Sequence, residues 1–316
     1  MKNTITILLL ALLPIIGCGQ SDSKKLTNAE VEKVIERLSS RLIRSYVYQD
    51  KAERMVRQIQ QQFESNQYDG LTSPQLAESL TKDLHSVVLD KHLAIAHSSK
   101  PSKRAELGYP SRAEVESKLG FERVEVLEGN IGFIDLIGLV PLNNQVSNRI
   151  AEVFEQLKDV DALIIDLRKN GGGSAATVGL VSSYFFDRPP FVINSVYNRQ
   201  SNQTSDFRTT DKVNNKLPNT PIYLLISELT FSAAEEFCYN LQQLKRATIV
   251  GEPSRGGAHP TSSFSLPNGL NAYIPNGRAI NPISKTNWEG VGVVPDIKID
   301  AELALDKAIE LIIQSK

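Results

Sequence analysis

Ala162-Leu163-Ile164-Ile165-Asp166-Leu167-Arg168-Lys169-Asn170-Gly171-Gly172-Gly173 is the stretch whose reading decides the fold. Ala162 to Leu167 is apolar almost throughout and does not alternate. Such a run suits a parallel strand covered on both faces. The chain then turns abruptly polar and ends in three consecutive glycines. Open α/β sheets bind ligands at the carboxyl ends of their strands, so this turn is a candidate site. Glycines let the backbone approach a bound group closely, and their N–H groups suit an oxyanion. A plain strand-to-helix turn fits the same residues. A phosphate loop does not, because no Gly-Lys-Ser/Thr follows, and the spacing Gly-x-Gly-x-x-Gly is also missing.

Working outward, Val124 to Leu127 and Ile131 to Leu136 read as strands around a turn at Glu128-Gly129-Asn130. Residues 143–158 read as a helix. Ile222 to Ile226 and Ala247 to Val250 repeat the buried-strand pattern, with a helix from Ser232 to Leu244 between them. Strands alternating with helices predict an α/β sandwich around a largely parallel sheet.

Further upstream the periodicity is helical. Val31, Val34, Ile35, Leu38 and Leu42 recur at helical spacing, and Ser73-Pro74 marks a further helix start. The expected organisation is a signal segment at 1–17, a tether at 18–27 and a helical domain at 28–97. A polar linker at 98–119, with Pro101 and Pro110, leads to the α/β domain at 120–316. The chain has 316 residues, is 41% hydrophobic and 22% charged, and carries a formal net charge of −1, which together exclude global disorder, a coiled coil and the charge footprint of a nucleic-acid binder. Its two cysteines, Cys18 and Cys238, make neither a disulfide framework nor a cysteine-ligated zinc site. Cys238 is expected to be a buried thiol.

Two more segments carry chemistry. In Thr230-Phe231-Ser232-Ala233-Ala234-Glu235, Ser232 follows a strand and opens a helix. Its hydroxyl is sharply placed there, and Ala233 N–H lies at the positive end of the helix dipole. Ser232 with Glu235 three residues on also reads as an ordinary capping box. Asn287-Trp288-Glu289-Gly290-Val291-Gly292-Val293-Val294-Pro295-Asp296 is a glycine-punctuated loop holding the single Trp.

Together these segments resemble the family of tail-specific, C-terminal processing serine peptidases, which includes the tricorn protease core. Asp166 to Gly173 is similar to its Asp-x-Arg-x-Asn-Gly-Gly-Gly, and Thr230 to Glu235 to its Thr-x-Ser-Ala-x-Glu. Val250 to Gly257 and Gly292 to Asp296 match the two motifs that follow. The resemblance implies a catalytic domain of the ClpP/crotonase-like type over 120–316, a peptide or protein substrate bound extended along a strand edge, and no cofactor and no metal. Many relatives carry a PDZ domain after the helical region; the stretch at 98–120 is too short for one. Well-known members use a Ser-Lys dyad, but the lysine position here holds Gly257. The branch resembling tricorn and the interphotoreceptor retinoid-binding protein repeats suggests a substitute. Asp90-Lys91-His92-Leu93 resembles its Asp-x-His segment, and Asn287 to Gly290 its Asn-Trp-Glu-Gly.

By that resemblance Ser232 is the nucleophile, His92 the general base and Glu289 its orienting acid. Gly172, Gly173 and Ala233 form the oxyanion hole. His259, near the missing lysine, is the alternative base. His85 is expected to be structural and His97 exposed. The retinoid-binding relatives leave a second reading open: a binding protein for apolar ligands on the same fold.

The N-terminus reads as an address. Lys2 precedes an apolar run from Ile5 to Ile16, too short to span a bilayer but suited to a secretory signal. Ile15-Ile16-Gly17-Cys18 resembles a bacterial lipobox, which implies cleavage before Cys18 and its lipidation. The chain is then expected in the bacterial cell envelope, held to a membrane and facing the periplasm or the cell surface.

Overall fold

The computed structural model describes residues 24–98 and 106–315. The helices are α1 (Asn28–Ser45), α2 (Gln49–Glu64), α3 (Ser73–Val87), α4 (Arg112–Ser117), α5 (Asn144–Gln156), α6 (Ala175–Ser183), α7 (Ala233–Gln243) and α8 (Ala304–Gln314). The strands are β1 (Ala94–His97), β2 (Phe121–Leu127), β3 (Ile131–Leu136), β4 (Ala162–Asp166), β5 (Val192–Asn198), β6 (Gln203–Arg208), β7 (Ile222–Ile226), β8 (Thr248–Gly251), β9 (Thr261–Ser265), β10 (Leu270–Pro275), β11 (Gly277–Ile280) and β12 (Ile297–Lys298).

The central sheet has the order β12-β8-β7-β4-β3-β2. Its neighbours are parallel except β2, which pairs antiparallel with β3. All five residues of β4 are buried, as its unbroken apolar run predicts for a strand covered on both faces. One face packs on α5, α6 and α7 through Ile150, Phe154, Val178, Phe237 and Leu241. Ala304, Ala308 and Ile312 of α8 cover the other face, against Phe133, Ile164 and Val250.

The N-terminal helices form a second core. Thr27 caps α1: its N–H is given to Glu30 Oε2 at 2.8 Å, and its Oγ1 accepts Glu30 N–H at 3.3 Å. Leu38 and Leu42 on α1 are fully buried, each burial stabilising the domain by roughly 1.5–3 kcal/mol.

Here the structure departs from the expected organisation. The helical core is completed from the far end of the chain by Leu266, Leu270, Ala272 and Ile274 of the β9–β10 hairpin, to which β1 adds a third strand. β9 alternates exposed with half-buried residues and β10 is only six residues long, so neither gives the helical periodicity that marks the rest of this core. Inside the expected tether, Leu26 is buried and Lys25 bridges Thr72, because the chain must dock before α1 can pack. Inside the expected linker, Ser111 Oγ accepts Glu114 N–H at 3.1 Å and starts α4. The signal segment 1–17 and Cys18 lie outside the described residues. No helix among those described is long and apolar enough to cross a membrane.

Candidate active site

Two strand ends build the site. After β4, Asn170 is fully buried; its Nδ2 donates to Leu136 O at 2.7 Å and its Oδ1 accepts Gly172 N–H at 2.9 Å. After β7, Thr230 Oγ1 donates to Leu167 O at 2.9 Å, and Phe231 N–H donates to Asn170 O at 3.0 Å. The two turns are thus sewn together, and Ser232 sits on the second at the start of α7. Its backbone is at φ 57° and ψ −119°, a region that side-chain-bearing residues avoid and that costs on the order of 1–3 kcal/mol. A strained strand-to-helix turn of this kind presents the hydroxyl outward.

Ser232 N–H is given to Glu235 Oε2 at 2.8 Å. The capping role of Glu235 is only part of its work. The same buried carboxylate accepts from Ser254 Oγ at 2.6 Å, Gly256 N–H at 2.5 Å and Gly257 N–H at 2.9 Å. It therefore ties the 254–257 segment to the Ser232 turn. Burial pushes its carboxyl up to about 6 against the pull of these donors.

His92 arrives from the N-terminal core, on the turn between α3 and β1. Its N–H is held by Asp90 Oδ1 at 3.1 Å, and its ring stacks on Phe231 with centroids 4.4 Å apart. His92 Nε2 lies 3.1 Å from Ser232 Oγ, across 140 residues of chain. Burial holds its imidazole down, to about 4, so the ring is neutral at ordinary pH and free to accept a proton. His92 Nδ1 is buried and has no hydrogen-bond partner among the described residues.

Glu289 reaches the same place but does not bond the ring. Its Oε2 accepts Ala258 N–H at 2.6 Å, and its Oε1 is buried and unpartnered. Burial raises its carboxyl, opposed by the charge of His259. Ligand atoms of Asp90, His92 and Glu289 all lie within 4.8 Å of one another, close enough to surround a cation. His259 is not placed as a base for Ser232. It is 3% exposed, and its Nδ1 faces Asp90 Oδ2 at 2.7 Å.

The three expected oxyanion donors divide. Gly172 N–H is committed to Asn170, whereas Gly173 N–H and Ala233 N–H are given to no acceptor among the described residues. Gly172 instead supplies closeness: at φ 95°, a Cβ there would lie 2.8 Å from Ser232 Cβ and 3.0 Å from Ala233 N. His85 Nε2 meets Leu93 O at 2.7 Å, a structural contact. His97, expected on the surface, is 7% exposed, because it lies on β1 paired beside β10 at Leu270. Cys238 is buried, and burial pushes its thiol well up, which leaves it inert.

A groove of about 800 Å³ runs between α3 and β1. Its strand edge is not open to an extended peptide at Ile95, because Thr81 Oγ1, which donates to Ala77 O at 2.8 Å, accepts Ile95 N–H at 2.9 Å.

Asp90, Glu235 and Gly257 are the positions that motif reading underused. Asp90 stands in the quoted Asp-x-His segment, and its spacing to His92 N–H is that of an Asx turn. Glu235 and Gly257 show their roles only in three dimensions.

Residues 130–299 match Peptidase family S41, and residues 26–123 match the N-terminal domain of Peptidase S41 in eukaryotic IRBP. The carboxyl-terminal-processing peptidase 2 of Arabidopsis thaliana chloroplasts is 31% identical over 165 residues, 52% of this chain and 31% of that protein. The chain spans about a third of that relative's length. In structure, a putative peptidase from Parabacteroides merdae aligns with a TM-score of 0.63 at 18% identity, over 88% of this chain and 96% of that one. The tricorn protease aligns with a TM-score of 0.63 at 13% identity, over 91% of this chain and 37% of that one. The family match spans more than half of the sequence and contains both strand ends that carry the site, and on that ground the chain belongs to peptidase family S41.

Proposed function

We propose that this chain is a lipid-anchored serine peptidase that hydrolyses extended polypeptides through Ser232, His92 and Glu289. The observation that carries the reading is the 3.1 Å approach of His92 Nε2 to the hydroxyl of a strained Ser232. His92 takes the Ser232 proton as Oγ attacks the substrate carbonyl, and returns it to the leaving amine. Gly173 N–H and Ala233 N–H, both without an acceptor among the described residues, stabilise the oxyanion. Glu289, whose Oε1 has no partner among the described residues, as His92 Nδ1 has none, serves as the acid that orients the ring. The lipobox-like Gly17-Cys18 supports an anchor at Cys18 and a place in the bacterial cell envelope, facing the periplasm or the cell surface.

A biotinylated fluorophosphonate tests the chemistry on the full chain. Labelling is expected in the wild type and its loss in Ser232→Ala and His92→Ala. A folded wild type that is not labelled overturns the peptidase reading and turns attention to apolar ligands. Incorporation of an alkyne fatty acid in cells, lost in Cys18→Ser, tests the anchor.

A further inference from the structure

Two carboxylates stand within reach of His92, and only one can orient its ring. Asp90 is fully engaged. Its Oδ1 accepts His92 N–H at 3.1 Å, and its Oδ2 accepts Tyr46 O–H at 3.2 Å and faces His259 Nδ1 at 2.7 Å. An ionised carboxylate only accepts, so His259 Nδ1 carries the proton and donates it. Glu289 has one oxygen held by Ala258 N–H and lies 3.5 Å from His259 Nδ1 through that same oxygen. Its other oxygen, His92 Nδ1 and His259 Nε2 are the buried polar atoms of this group without a partner among the described residues, and of these only Glu289 Oε1 is an acceptor on a carboxylate. Asp90, His92 and Glu289 nevertheless offer atoms within 4.8 Å of one another.

We propose that His259 is a positioning residue that holds Asp90 away from His92 Nδ1 and so reserves that nitrogen for Glu289. The inference rests on the Ser232-His92-Glu289 reading. Without the His259 donor, Asp90 keeps only Tyr46 and the His92 N–H. A carboxylate short of donors in a buried site seeks the nearest one. For Asp90 that is the imidazole, and capturing it pulls the ring from its line to Ser232. The charged and titratable groups facing His92 are Asp90, Glu289 and His259 behind the ring, with Tyr46 on Asp90, Tyr48 packed edge-on to His259, and Lys91 and Arg255 at the mouth. Of these, His259 is the one that touches both carboxylates.

The test compares the full chain with His259→Leu, His259→Asn and the double variant His259→Leu/Asp90→Asn. Asn keeps an N–H donor near the Nδ1 position, and Leu does not. Two quantities are measured: the NMR titration midpoint of the His92 ring, assigned by its absence in His92→Ala, and kcat and KM on a peptide that the wild type cleaves. In His259→Leu the midpoint is expected to rise by about one pH unit, as an unshared carboxylate stabilises the imidazolium. Turnover is expected to fall by about 10- to 100-fold at unchanged KM, the cost of a misplaced base. His259→Asn returns both close to wild type, and the double variant abolishes the rise in midpoint. A wild-type midpoint in His259→Leu overturns the proposal, as does a rise that survives removal of the Asp90 charge. If His259→Leu does not fold, His259→Ala, which also lacks a donor, takes its place: a raised His92 midpoint supports the proposal and a wild-type midpoint overturns it. Absence of peptide cleavage by the wild type counts against the peptidase reading, while the midpoints still decide the role of His259.

Discussion

Gly257 and His92 occupy one small space: a Cβ on residue 257 would lie 2.6 Å from His92 Cε1 and 2.3 Å from Phe231 Cε2. No side chain at 257 coexists with the imidazole in its present position. The missing lysine and the presence of His92 are therefore one structural fact, in which glycine vacates the volume that the ring fills. The Glu235 clamp on Gly257 N–H holds the backbone at 257 in place, so a side chain there displaces the rings of His92 and Phe231.

Gly257→Ala is accordingly expected to push His92 off Ser232 while sparing the fold. The fluorophosphonate labelling rate should fall by about 100-fold, the cost of a displacement near 1 Å, with the circular dichroism spectrum unchanged. Wild-type labelling in a folded Gly257→Ala would show that the ring has another seat.

The labelling rate should also depend on pH in an unusual way for a histidine base. Burial holds the His92 imidazole down to about 4, so the ring stays neutral well below the ordinary histidine range. The rate is expected to be flat from pH 8 through 6 and to decline only toward pH 4. The sign for stability follows from the same shift. Between the unfolded value near 6.5 and the folded value, the unfolded chain binds more protons, so lowering the pH through that window destabilises the fold. An acid limb centred at 6.5 or above would contradict a desolvated His92.

Glu236 offers a stability measurement independent of catalysis. It lies on the inner face of α7 facing Asn194, and burial pushes its carboxyl up to about 7. A raised carboxyl contributes stability that is complete below the unfolded value and is lost as pH rises through the folded value. Glu236→Gln is therefore expected to leave thermal stability near wild type at pH 4 and to exceed it at pH 8 by on the order of 2–3 kcal/mol. Equal unfolding temperatures for the two proteins at pH 8 would show that the buried carboxylate is compensated.

Much of this was legible in the chain. The unbroken apolar run of β4 and its echoes in β7 and β8 demanded a sheet buried on both faces, and the glycines and Ser232 after them located the strand ends that carry chemistry. Those are local properties, written in residue type and spacing. The β9–β10 hairpin that completes the N-terminal core was not legible, because its residues alternate and their partners lie some two hundred positions upstream. Nor was the division of labour among Asp90, Glu289 and His259. The three share one buried space, and which carboxylate is satisfied and which is left with a vacant oxygen depends on distances of a few tenths of an ångström. Sequence alone set the sheet, the strand ends and the position of Ser232 at the second of them. Tertiary packing decided which histidine meets that serine, since a hydrogen bond spanning 140 residues exists only where two separately built cores dock and a glycine leaves room between them.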